Sequence, residues 1–125
     1  MQFRPGEWDP AQWLTVKSAR WTHCGGWIQE DRRIVNAVPA DATPEDMLDR
    51  RAPETYSSML WKQKLKSPVT VAAQMEFADR MAPLIVLAQE PEINADGIAE
   101  YREHWEIIVY DEGINVWHHQ RDENG

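Results

Sequence analysis

The strongest alternation of apolar and polar positions lies near the end of the chain, in YREHWEIIVY over residues 101–110 and INVWHH over residues 114–119, parted by Asp111, Glu112 and Gly113. Aromatic and β-branched residues on both sides of a glycine-bearing turn predict a β-hairpin from Tyr101 to His119, with Gly113 supplying the positive φ of a three-residue loop. With Tyr110 opposite Ile114, Ile108 faces Val116, Glu106 faces His118, and His104 joins Glu106 on the same face. The other face then collects Glu103, Trp105, Ile107 and Val109 with Asn115, Trp117 and His119. A two-residue turn at Glu112 and Gly113 is the competing register and sets Glu106 opposite His119 instead.

Upstream, the pattern predicts mostly short strands. Residues 1–12, with two prolines, Gly6 and several charges, read as an irregular lead-in, followed by a short strand at Trp13–Lys17. Gly25 and Gly26 mark a turn between Trp21 and Trp27. Strands are expected at Trp27–Glu30 and Arg33–Val38, joined by a charged turn at Glu30, Asp31 and Arg32. The acidic, proline-bounded stretch from Pro39 to Pro53 contains a helix start, with Thr43 as N-cap, Pro44 at the first helical position and acids in the first turn, ending near Arg51. Tyr56–Leu65 alternates with Met59, Trp61 and Leu65 on one face. Val69–Phe77 alternates with a strict period of two and predicts a strand with one buried face. Pro83–Ala88 is apolar on both faces, as suits a central strand covered on both sides, and Gln89–Glu100 reads as a long polar loop of the kind that often carries function. Short strands with regular turn signals and little helix predict an all-β sandwich.

Composition narrows the classes. A chain of 125 residues fits one domain that can build a core without disulfides, and its single cysteine, Cys24, cannot form an internal one. No stretch approaches the roughly 20 apolar residues of a membrane span and the N-terminus lacks an apolar signal region, so a soluble, cytoplasmic protein without a membrane partner is expected. A formal charge of −8 repels a phosphate backbone, which disfavours nucleic acid as partner. Seven tryptophans are a heavy load for this length, pointing to a ligand surface as well as to packing.

Four segments carry a family resemblance: TYSSMLW at 55–61, APLIVL at 82–87, YREHWEII at 101–108 and YDEGINVWH at 110–118. Together they resemble a bacterial family of concanavalin A-like jelly-roll proteins of undefined function, encoded among polysaccharide-utilisation genes and similar in fold to legume lectins and jelly-roll glucanases. The resemblance spans residues 21–119. It implies a β-sandwich whose concave sheet holds a glycan, and an oligosaccharide or polysaccharide fragment as partner. Such jelly rolls usually need more strands than this length provides. The chain therefore resembles the N-terminal part of the domain, and dimerisation through a bare sheet edge is expected.

Candidate chemistry concentrates on the hairpin. His104, Glu106 and His118 on one sheet face are the candidate catalytic residues of a polysaccharide lyase or glycosidase-like enzyme, the rival to a binding protein, since two imidazoles and a carboxylate can transfer protons. The plainer reading is a hydrogen-bonded His–Glu pair. No HExxH or CxxC spacing supports a metal, so no cofactor is expected. On the other face Trp105 and Trp117 beside Glu103 and His119 suit a sugar, the indoles stacking on a pyranose while the polar groups bond its hydroxyls. Lyases pair a His or Tyr base with a cation that neutralises a uronate. Arg102 shares the parity of His104 and His118, whereas Tyr101 falls on the opposite face. Glu103 and Glu106, three apart, also fall on opposite faces, which disfavours a glucanase acid pair. Cys24 beside His23 reads as idle, because neighbours on an extended chain point apart. Lys62, Lys64 and Lys66 read as a solvated strand face or edge protection.

Overall fold

A strand needs alternation and also a neighbour to pair with, and the second condition decides which of the expected strands form. The computed structural model describes residues 2–17, 27–36, 58–78, 81–120 and 122, and every regular element among them is a β-strand. In chain order these are β1 (Trp13–Lys17), β2 (Trp27–Glu30), β3 (Arg33–Asn36), β4 (Ser58–Trp61), β5 (Leu84–Ala88), β6 (Glu92–Ile93), β7 (Ala99–Glu100), β8 (Glu103–Tyr110) and β9 (Gly113–Gln120). They form a four-stranded sheet in the order β4-β1-β7-β6, the hairpin β2-β3, and a three-stranded sheet in the order β5-β8-β9. The protein is thus all-β over the described residues. The helix expected from Thr43, the Trp21–Trp27 turn and the His23–Cys24 pair lie outside the described residues, except for Trp27 itself.

The chain divides into two compact units, Met1–Lys64 with Ile93–Glu100, and Leu65–Glu92 with Tyr101–Gly125. In the first, β1 runs antiparallel to β4 with Trp13 opposite Trp61, and parallel to β7 with Val16 opposite Ala99. Val16 and Ala99 are also the two hydrophobic residues among those described that are fully buried, at 0% and 1% exposure, so this parallel pair is the centre of the unit's core. The lead-in carries no strand but contributes aromatic packing. Phe3 and Trp8 lie 5.9 and 5.0 Å from the ring of Trp13, and the Trp8 indole N–H donates to the carbonyl of Trp27 at 2.9 Å. The β2–β3 turn consists of Asp31 and Arg32, and Arg32 takes φ 61° with its N–H on the carbonyl of Phe3 at 3.2 Å.

Several expectations need correction. Val69–Phe77 forms no strand, and Val69 and Val71 are about half exposed; period-two spacing describes a strand only when a neighbour supplies the ladder, and none of the described strands pairs with this segment. Of the described part of the Tyr56–Leu65 pattern, Ser58–Trp61 forms the strand, so Lys62, Lys64 and Lys66 lie beyond it, and the Lys62 ammonium donates to the carbonyl of Pro10 at 3.0 Å. The polar stretch Gln89–Glu100 holds β6 and β7, turned by Asn94, whose side-chain oxygen accepts from the N–H groups of Asp96 and Ile98 at 3.0 Å each, with Gly97 at φ 76°. An Asx turn of this kind makes a polar stretch into a hairpin without any apolar signal.

In the second unit β8 is the central strand and β5 an edge, the reverse of what the two-sided apolar character of Leu84–Ala88 suggests. Leu84 and Leu87 remain 39% and 40% exposed, so apolarity on both faces here does not mean cover on both. The two strands of the expected hairpin, β8 and β9, are the longest elements described, at eight residues each.

Truncating the buried partner of Ala99 tests where the core lies. Val16→Ala removes two methyl groups from a fully enclosed site and should destabilise the protein by about 1 to 3 kcal/mol in denaturant titration, whereas Val71→Ala on the exposed segment should change stability by less than about 0.5 kcal/mol.

Candidate functional site

The site is set by how β8 and β9 meet. Tyr110 pairs with Gly113, Val109 with Ile114, Ile107 with Val116, Glu106 with Trp117, Trp105 with His118, His104 with His119 and Glu103 with Gln120. The loop is therefore the two residues Asp111 and Glu112, and the expected pairing of Tyr110 with Ile114 is displaced by one residue. Gly113 opens β9 instead of sitting in the turn. Its φ of 157° is positive, as expected, and is one that residues with a side chain rarely adopt, while a Cβ there would make only ordinary contact with the Tyr110 hydroxyl, at 3.7 Å. Because side chains alternate with a period of two, this single step moves every residue of β9 to the other face relative to β8.

His104, Glu106 and His118 consequently do not share a face. His118 lies with Glu103 and Trp105, and His119 takes its place beside His104 and Glu106. Trp105 and Trp117, expected together, are divided between the faces. Each face of the hairpin so acquires one tryptophan, one glutamate and at least one histidine.

On the first face Glu106 bridges two imidazoles: Nε2 of His104 donates to Oε1 at 3.3 Å and Nε2 of His119 donates to Oε2 at 3.2 Å. The imidazole planes of His104 and His119 stack at 4.7 Å with 10° between them, as cross-strand partners can. Tyr101 packs on His104 at 4.8 Å, and Trp117 lies parallel to His119 at 6.3 Å. The three polar side chains are largely covered, with 15% of His104, 21% of Glu106 and 26% of His119 exposed.

On the second face Trp105 stacks on His118 at 4.1 Å and 7°. Nε2 of His118 donates to Glu103 at 2.9 Å, and the same carboxylate accepts from the side-chain amides of Gln89 at 2.9 Å and Gln120 at 3.4 Å. The His118 hydrogen bond, helped by the one from Gln120, holds the Glu103 carboxyl below its ordinary value. An open cleft of about 490 Å³ is lined by Gln89, Arg102, Glu103 and Gln120. Arg102 does not join His104 or His118; its guanidinium pairs with Glu92 at 2.8 Å. Gln89 and Gln120 escaped the sequence reading. Gln120 follows from the true register, as the partner of Glu103, and Gln89 continues the β5–β8 ladder, its N–H donating to the carbonyl of Glu103 at 3.2 Å.

Comparison with protein-family models, with curated proteins and with solved structures finds no match to this chain. The chemistry must be read from the two faces. Glu103 and Glu106 lie on opposite faces, as their spacing demands, so these two carboxylates do not flank one groove. The first face can hold a proton or an ion between two imidazoles. The second offers an exposed aromatic plane beside a carboxylate and two amides.

A carboxyl whose folded value is lowered contributes stability above its ordinary value, and that contribution is lost as pH falls through the lowered one. Carbon NMR titration of the Glu103 side chain should therefore show a midpoint below that of an unstructured glutamate, and His118→Ala should move it upward, because the donor that favours the charged form is gone.

Proposed function

We propose that the Trp105 face of the β5-β8-β9 sheet binds a neutral oligosaccharide. The observation that carries this reading is the Trp105 indole, 45% exposed and backed by the parallel ring of His118, beside a carboxylate that already carries two amides. An indole held flat offers its plane to the C–H face of a pyranose, a contact driven by apolar burial and by the ring's negative face. Glu103 accepts from sugar hydroxyls, and Gln89 and Gln120 supply both donors and acceptors within the same cleft. Charge selects against a uronate. Glu103 favours its ionised form, and the cleft's one cation, Arg102, is engaged by Glu92. Binding is favoured over cleavage, because the catalytic reading needs His118 with His104 and Glu106, and the register separates them. In the same reading the fold is a concanavalin A-like β-sandwich, supported by the antiparallel pairing of the β2-β3 and β5-β8-β9 sheets and by the residues that carry the family resemblance.

A neutral oligosaccharide panel, read by array and by tryptophan fluorescence, tests this. A ligand should quench or shift the emission, and Trp105→Ala should weaken binding by about 1 to 3 kcal/mol, the value of a large aromatic contact. Trp117→Ala, on the other face, should leave affinity unchanged. Silence across the panel, or equal losses from the two tryptophans, rejects the proposal.

A further inference from the structure

The opposite face of the same hairpin carries a second arrangement that sugar binding does not use. We propose that His104, Glu106 and His119 form a three-ligand site for a divalent metal ion of the zinc class. One ligand atom from each of the three residues lies within 4.8 Å of the others. Nε2 of His104 lies 3.3 Å from Oε1 of Glu106 and Nε2 of His119 lies 3.2 Å from Oε2, each close to the roughly 3.3 Å between neighbouring ligands of a tetrahedral ion with bonds near 2.0–2.1 Å.

The backbone prepares this set in two ways. His104 and Glu106, two residues apart on β8, point to one face, and His119 is the cross-strand partner of His104. The imidazole planes are fixed by ring contacts, His104 between Tyr101 and His119, and His119 between His104 and Trp117. Both imidazoles direct Nε2 at the carboxylate. On metal binding each ring carries its remaining proton on Nδ1, and Nε2 and a carboxylate oxygen take the ion in place of the present hydrogen bonds. Two imidazoles and one carboxylate suit zinc in hardness and charge, and three protein ligands leave a position open to water or a small anion. His118, one residue away in sequence, is excluded because it faces Trp105.

Titration of the 125-residue chain with zinc, followed by calorimetry and by the proton resonances of the four histidines, decides the matter. One ion per chain should bind, and the His104 and His119 resonances should move while that of His118 stays in place. His119→Ala and Glu106→Gln should each lower zinc affinity by at least about tenfold, and His118→Ala should change it by less than about twofold. Cobalt in place of zinc should give the visible absorption of a four-coordinate site. Reading the resonances in the unaltered protein keeps the test valid if a variant fails to fold. Zinc that leaves His104 and His119 unmoved, or that is held by His23 or His118, overturns the proposal. Because the Trp105 face is not involved, absence of glycan binding leaves this result unaffected, and the reverse also holds.

Discussion

Everything functional in the second unit depends on the cross-strand register between β8 and β9. Hydrogen bonding fixes which residues stand opposite, and a period of two then fixes which share a face. The turn of Asp111 and Glu112 pairs Tyr110 with Gly113, and from that one contact the rest of the ladder follows to Glu103 and Gln120. Glycine at the start of β9 takes φ 157°, a backbone conformation that residues with a side chain rarely adopt. The consequence reaches the far end of the hairpin, some six residues away, where it decides that His119 and not His118 meets Glu106.

The existence of this hairpin is legible in the sequence because its aromatic and β-branched residues lie on both sides of a turn signal. Its register is not, because alternation near the turn is ambiguous: Ile107, Ile108 and Val109 are all apolar, so either face of β8 accepts Ile114 and Val116. The choice falls to the loop, and loop length is a small local difference in backbone energy that composition does not reveal. Elsewhere the misreadings have a common cause. Val69–Phe77 has the spacing of a strand without a partner, and Gln89–Glu100 has partners without the spacing, being organised by the Asn94 side chain. Periodicity reports what a strand would bury, and pairing is a tertiary property. The strands β1, β2 and β3 were legible because each is bounded by aromatic residues or by a charged two-residue turn.

The β5-β8-β9 sheet leaves large apolar side chains exposed on both faces. Ile114 and Val116 are 65% and 60% exposed on one face of β9, and Trp117 is 54% exposed on the other. Full burial among the described hydrophobic residues belongs to Val16 and Ala99 of the first unit. Apolar surface left in water on a sheet carries a free-energy cost proportional to its area, which any ligand or partner that covers it recovers. That is the physical reason to look for recognition on the sheet faces and not in an enclosed cavity.

Two adjacent histidines on an extended strand must point to opposite sides, and here each meets a glutamate on its own side. The two pairs differ in surroundings. Glu103 is bonded by His118 and by neutral amides beside an open cleft, so its negative charge is stabilised yet remains available to solvent and to hydroxyl groups. Glu106 is shared by two imidazoles whose rings are packed by Tyr101 and Trp117, so its charge faces cationic or electrophilic partners. One carboxylate accepts from an imidazole and two amides, and the other is bridged by two imidazoles. The distinction arises from the residues opposite, Gln120 across from Glu103 and Trp117 across from Glu106, and so from the same register that begins at Gly113. Shifting the ladder by one residue would place Glu106 against His118 and dissolve both arrangements together, which makes the turn, remote from either cluster, the element that specifies their chemistry.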